Sequence, residues 1–83
     1  MVYSVKYTED AAAVRDAMIP DRRALLEKGM EKLAEDPFTP VSQPVSGDDV
    51  RAVAIASGLT VDYMVHRTFV VIIAVVIFDQ TLI

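Results

Sequence analysis

Residues 69–78 read FVVIIAVVIF, an uncharged apolar run closed by Asp79 and Gln80. The run is well short of the about 20 apolar residues that a membrane-spanning helix needs. Hydrophobicity alone does not separate a buried strand from a buried helix segment of this length. The β-branched Val and Ile, the lack of helical periodicity and the turn-like His66-Arg67-Thr68 before it favour a strand. Apolar on both faces, such a strand belongs inside a sheet that is covered on at least one side. The rest of the chain has to be laid on it.

At the N-terminus, residues 2–7 alternate, with Tyr3, Val5 and Tyr7 on one face and Ser4 and Lys6 on the other, the pattern of a half-buried strand. Thr8 then suits a helix N-cap, and Glu9 and Asp10 suit the first turn, where the helix dipole favours negative charge. Ala11, Val14 and Met18 recur at helical spacing until Pro20 ends the helix. A second helix starts at Pro20 or Asp21, with Leu26, Met30 and Leu33 as its apolar stripe, widened by Leu25. Arg23 with Glu27, and Lys32 with Asp36, are i,i+4 pairs on its wet side. The near-absence of a linker makes the two helices a hairpin, and Pro37 stops the second.

Residues 37–49 (PFTPVSQPVSGDD) carry three prolines and a glycine and read as a long loop returning the chain to the sheet. Residues 50–56 form the next strand, Ser57-Gly58 a two-residue hairpin turn, and residues 59–65 the returning strand. After the turn at 66–68 comes the apolar strand. The expectation is one α+β domain over residues 1–83. It has two layers in the order β-α-α-β-β-β, with the helical hairpin packed on a mainly antiparallel four-stranded sheet.

Alternation along the strands assigns their faces. Val50, Ala52, Ala54 and Ala56 are expected to face the helices, leaving Arg51, Val53 and Ile55 on the open side. Leu59, Val61, Tyr63 and Val65 are expected inside, leaving Thr60, Asp62 and Met64 open. The open face then carries Val53, Ile55, Thr60 and Met64 beside half of the apolar strand. An apolar surface of that kind marks a protein-partner site, for another protein or a second copy of the chain.

Charge points the same way. Eight Lys and Arg stand against twelve Asp and Glu, a formal net charge of −4. Nucleic-acid binders draw much of their affinity from basic patches, so the balance favours protein partners. The chain has no cysteine and one histidine, His66, which leaves no thiolate site and no histidine cluster for a metal. No cofactor is expected. No basic segment followed by an apolar one opens the sequence, so no secretion signal is read and a cytoplasmic location is expected. Among individual residues, Arg51 beside Asp48 and Asp49 suits either a phosphate contact or an ion pair with its neighbours. His66 with Arg67 at a hairpin tip suits either a proton-transfer and phosphate-binding pair or a solvated turn. Tyr63 reads as a core tyrosine with a hydrogen-bonded hydroxyl.

The order of elements, together with VYSVKYTEDA, KLAEDP, VSGDDVRAV and the spacing from Gly58 to Tyr63, resembles the RelE/ParE superfamily of bacterial type II toxins. The resemblance covers nearly the whole chain. It implies a toxin held by a cognate antitoxin protein. RelE-like members cut mRNA on the ribosome, using cations on the open sheet face to stabilise charge at the phosphate. ParE-like members share the fold, lack those cations and act on DNA gyrase. Carried over by position, Arg51 keeps the charge of a family lysine; His66 and Arg67, singled out above at the hairpin tip, match no family position and are the further candidates for catalysis. Val53 and Thr60 stand where the family has basic residues. Gln80 lies near the place of a late arginine, and no tyrosine or histidine follows it. The resemblance, taken with these candidates, gives either an mRNA endonuclease with Arg51, His66 and Arg67 at its site, or a non-catalytic or ParE-like interaction module.

Overall fold

A computed structural model describes residues 2–82. The chain runs β1 (Ser4–Tyr7), α1 (Glu9–Ala17), α2 (Pro20–Glu35), β2 (Gln43–Ser46), β3 (Val50–Ala56), β4 (Leu59–His66) and β5 (Val71–Asp79), followed by a single 3-10 turn (Gln80–Leu82). Two helices cover one face of a sheet ordered β1-β5-β4-β3-β2. The α+β architecture and the helical hairpin are as the sequence predicts. The sheet has five strands where four were expected. The additional β2 lies inside the proline-rich stretch and pairs antiparallel with β3, interrupted by a bulge between Pro44 and Ser46. Proline and all-round exposure hide so short an edge strand from any pattern of alternation.

The apolar run is β5, flanked by parallel β1 and antiparallel β4. The strand begins at Val71, two residues later than the run of apolar letters. His66 pairs with Val71, and residues 67–70 form the turn, where Val70 has a left-handed φ of 54°. That conformation is costly for a β-branched residue. Val70 is held there in part by its carbonyl, which accepts the Ser4 N–H at 2.9 Å.

The helices form where their caps allow. The Thr8 hydroxyl accepts the Ala11 N–H at 3.1 Å, and it donates to the Val75 carbonyl at 3.2 Å, tying the start of α1 to β5. Pro20 opens α2 without a side-chain cap. Leu26, Met30 and Leu33 of α2 are buried with Ala11, Met18, Val61, Tyr63, Val65, Ile72 and Ala74 as the core. Leu25, expected to widen the stripe, is 45% exposed.

Two bulges set which residues face the helices. From the turn at Ser57 and Gly58 (φ 70°), Ala56 pairs with Leu59, but Ala54 pairs with Thr60. Ile55 is the extra residue, and it inverts the alternation of all of β3 upstream. Val53 therefore lies opposite buried Val61, and Arg51 opposite buried Tyr63. This corrects the expected face of six residues: Arg51, Val53 and Ile55 lie on the helix side, and Val50, paired with Met64, lies on the open side. Ala52 and Ala54 take the open side. Ile55 reaches α2 at Gly29, where an added Cβ would stand 2.7 Å from the Ile55 Cγ2. In β5 a second bulge falls between the pairs Asp62–Val76 and Tyr63–Ala74, with Val75 as the extra residue. It keeps Ile72, Ala74 and Ile77 buried and leaves Val76 and Phe78 about half exposed. β4 itself alternates without interruption, with Leu59, Val61, Tyr63 and Val65 inside as expected.

Candidate functional site on the open sheet face

Residue by residue, the open face is built by register. Thr60 pairs with Ala54 and Phe78, Asp62 with Ala52 and Val76, and Met64 with Val50 and Ile73. On the far side Ile73 pairs with Lys6, and Val71 with Ser4. Across the middle of the sheet this makes an apolar field with Phe78 at 50% and Val76 at 53% exposure. Of the expected partner-binding residues, Thr60 and Met64 lie on this face, while Val53 and Ile55 do not. Phe78 and Val76 were not singled out by sequence reasoning. Their exposure depends on the bulge at Val75, which the uniform run of β-branched residues does not announce.

Charge is sparse here. Lys6, on the edge strand, is the one Lys or Arg carried by a strand on this face among the described residues. Asp62 and His66 are the other ionisable groups that the open-side alternation of β4 brings to it. His66 ends β4, exposed, with its ring centroid 6.1 Å from that of the exposed Phe69.

The two arginines proposed from sequence are engaged elsewhere. Arg51 is only 9% exposed. Its Nε donates to the Ser42 hydroxyl at 2.8 Å, Nη2 to the Ser42 carbonyl at 3.3 Å, and Nη1 to the Asp48 carbonyl at 3.2 Å. Its guanidinium also lies over the Phe38 ring at 5.5 Å. These contacts satisfy a buried cation and bind residues 37–49 to the sheet. Arg67 lies over the same ring at 4.4 Å and pairs with Asp49 at 3.1 Å, largely in solvent. Phe38 thus gathers Arg51 and Arg67, whereas His66 faces Phe69. The structure does not bring the three together as one set around a phosphate position.

Tyr63 is fully buried, its hydroxyl donating to the Pro37 carbonyl at 2.6 Å, the part of a core tyrosine. A second buried polar group closes the other end of the sheet. The Asp79 carboxylate, inaccessible to solvent, accepts from Arg22 at 3.0 Å and from the Thr81 N–H and hydroxyl at 3.1 and 2.9 Å. Burial pushes the Asp79 carboxyl up, but the Thr81 donors and the Arg22 guanidinium outweigh it and hold its pKa below the ordinary value. Among the described residues no group of three His, Asp or Glu is placed to hold a metal ion, and no helix is long and apolar enough to cross a membrane.

An apolar, cation-poor sheet face can bind another protein surface by burial. It offers little of the positive charge that stabilises a developing phosphorane. No protein-family model and no curated protein matches the chain. Solved structures do. A double mutant of the Escherichia coli toxin RelE in the free state superposes with a TM-score of 0.83 at 20% identity, covering 96% of this chain and 85% of that one. A RelE mutant in complex with an antitoxin RelBc peptide gives 0.81 at 20% identity, covering 95% and 84%. The archaeal RelE–RelB complex from Pyrococcus horikoshii OT3 gives 0.77 at 16% identity, covering 96% and 97%. The chain has the fold of the RelE toxins.

Proposed function

We propose that this chain is the toxin component of a toxin–antitoxin pair and acts by binding protein through its open sheet face, without cutting RNA. Its partners on this reading are a cognate antitoxin protein and a protein target in the cell. The observation that carries it is the composition of the face: Phe78, Val76, Ile73 and Met64 line β5 and β4 around Asp62, and Lys6 is its one strand-borne cation among the described residues. The similarity in fold to proteins solved with RelB antitoxins supports the toxin assignment. The burial of Arg51 supports a mode of action other than ribosome-dependent mRNA cleavage.

Induction of the chain alone in a bacterial host tests this reading, with growth and mRNA followed together by primer extension. The expected result is growth arrest with intact mRNA, relieved by Phe78→Lys at equal soluble protein. New 5′ ends inside translated codons would overturn the non-cleaving mechanism. Unimpaired growth at full expression would overturn the toxin assignment.

A further inference from the structure

The open sheet face carries one charge of each sign, on opposite sides of its apolar strand. Lys6 of β1 is in register with Ile73, and Asp62 of β4 with Val76, so β5 runs between them. β1 and β4 stand about 10 Å apart, and the two charges are also out of step along β5. Among the described residues neither Lys6 nor Asp62 forms an ion pair within the chain. Ile73, Val76 and Phe78 fill the strip between them, the last two about half exposed.

This layout complements itself. A twofold axis in the plane between two such faces, crossing β5 between Ile73 and Val76, sets Lys6 of each copy opposite Asp62 of the other. Ile73 and Val76 lie beside the axis and meet the same residues of the second copy. A partner surface of one sign would match one of these charges and oppose the other. The chain as a whole has a net charge of −4, so two copies meeting by their other surfaces bring like charge together, whereas here the strand charges cancel. The size is adequate as well. Four strands, β1, β5, β4 and β3, make a field of roughly 500 Å² in flat projection. Side-chain relief raises the accessible area above that, towards the about 800 Å² per partner of a standard stable interface.

We propose that the open face closes on a second copy of the chain, forming a twofold dimer held by Ile73, Val76 and Phe78 and by two Lys6–Asp62 pairs. The inference rests on the reading above only in taking the open face to bind protein. It adds that the chain masks this face itself: the dimer covers the surface that an antitoxin or a target would use, and by mass action the unmasked fraction falls as the chain accumulates.

Sedimentation equilibrium of the full chain tests this. The expected result is a monomer–dimer equilibrium with a dissociation constant on the order of 10 μM, lost in Phe78→Lys. Lys6→Glu, at an exposed position, sets like charges opposite each other twice in the dimer and should weaken it about tenfold. Asp62→Lys should do the same. Mixed in equal amounts, these two variants should dimerise again with about the wild-type constant, because every opposed pair then has opposite signs. A chain that stays monomeric would overturn the proposal and leave the face to an antitoxin or a target alone. Higher oligomers, a dimer indifferent to Lys6→Glu and Phe78→Lys, or a mixture that fails to recover would overturn it too. Growth arrest by a monomeric chain would sink the dimer and keep the toxin reading; dimers without arrest would do the reverse.

Discussion

Each of the two faces of this sheet holds exceptions to the usual division of polar and apolar residues. The covered face contains Arg51 and Asp79, both buried and hydrogen-bonded, Asp79 to the partly exposed Arg22 of α2. The solvent face displays Phe78 and Val76 at half exposure. Polar groups inside act as ties: Arg51 binds residues 37–49 to β3, and Asp79 binds the end of β5 to α2. The half-exposed apolar groups outside bury less surface on folding than those of the core. The contrast separates residues needed for folding from residues free to serve a partner, and charge alone would have sorted them the wrong way round.

Breaking the inner face should cost most. Asp79→Ala leaves Arg22 without its buried counterion and is expected to destabilise the fold by about 3 kcal/mol in urea melts. The depressed pKa of Asp79 gives a pH signature as well. Its stabilising contribution is present above the unfolded-state value of about 3.9 and is lost as pH falls through the lower folded-state value. Asp79→Asn should flatten that part of the acid limb. Arg51→Met removes three donors to residues 42 and 48 and is expected to cost about 2 kcal/mol. Growth arrest per soluble molecule should persist in that variant, and its loss would show that Arg51 has a role beyond holding the loop. Gly29→Ala sets an intrinsic helix gain of about 1 kcal/mol against a methyl pressed on Ile55. A net loss of about 1 kcal/mol is expected because the branched Ile55 side chain cannot easily withdraw. Phe78→Ser should change stability least, by under about 0.5 kcal/mol, while removing the apolar centre of the open face. A large unfolding cost there would place Phe78 with the inner face after all.

The sequence made legible whatever depended on local pattern. The cap at Thr8, the α2 stripe of Leu26, Met30 and Leu33, and the uninterrupted alternation of β4 were all readable, and with them the layer order. The bulges at Ile55 and Val75 were not, because an extra residue in a strand is fixed by pairing with a neighbour and leaves no mark in a run of Val, Ile and Ala. One missed residue moved Arg51, Val53 and Ile55 from one face to the other. The expected site was assembled on that alternation, so its cation Arg51 and two of its four partner-binding residues, Val53 and Ile55, went with it. β2 was missed for a related reason: four exposed residues including a proline carry no periodicity to read.

The margins of the sheet bear on how molecules with such an adhesive face stay discrete. On one side β2 presents Pro44, which has no N–H, next to a break in register. On the other, β1 is four residues long. Neither margin is a good template for another strand, so the sheet is not expected to extend from molecule to molecule. Association is left to the broad surfaces, where one partner covers the sticky area and ends growth. A chain built this way is expected to form complexes of fixed stoichiometry and to resist fibre formation, even when it is made in excess of whatever covers it.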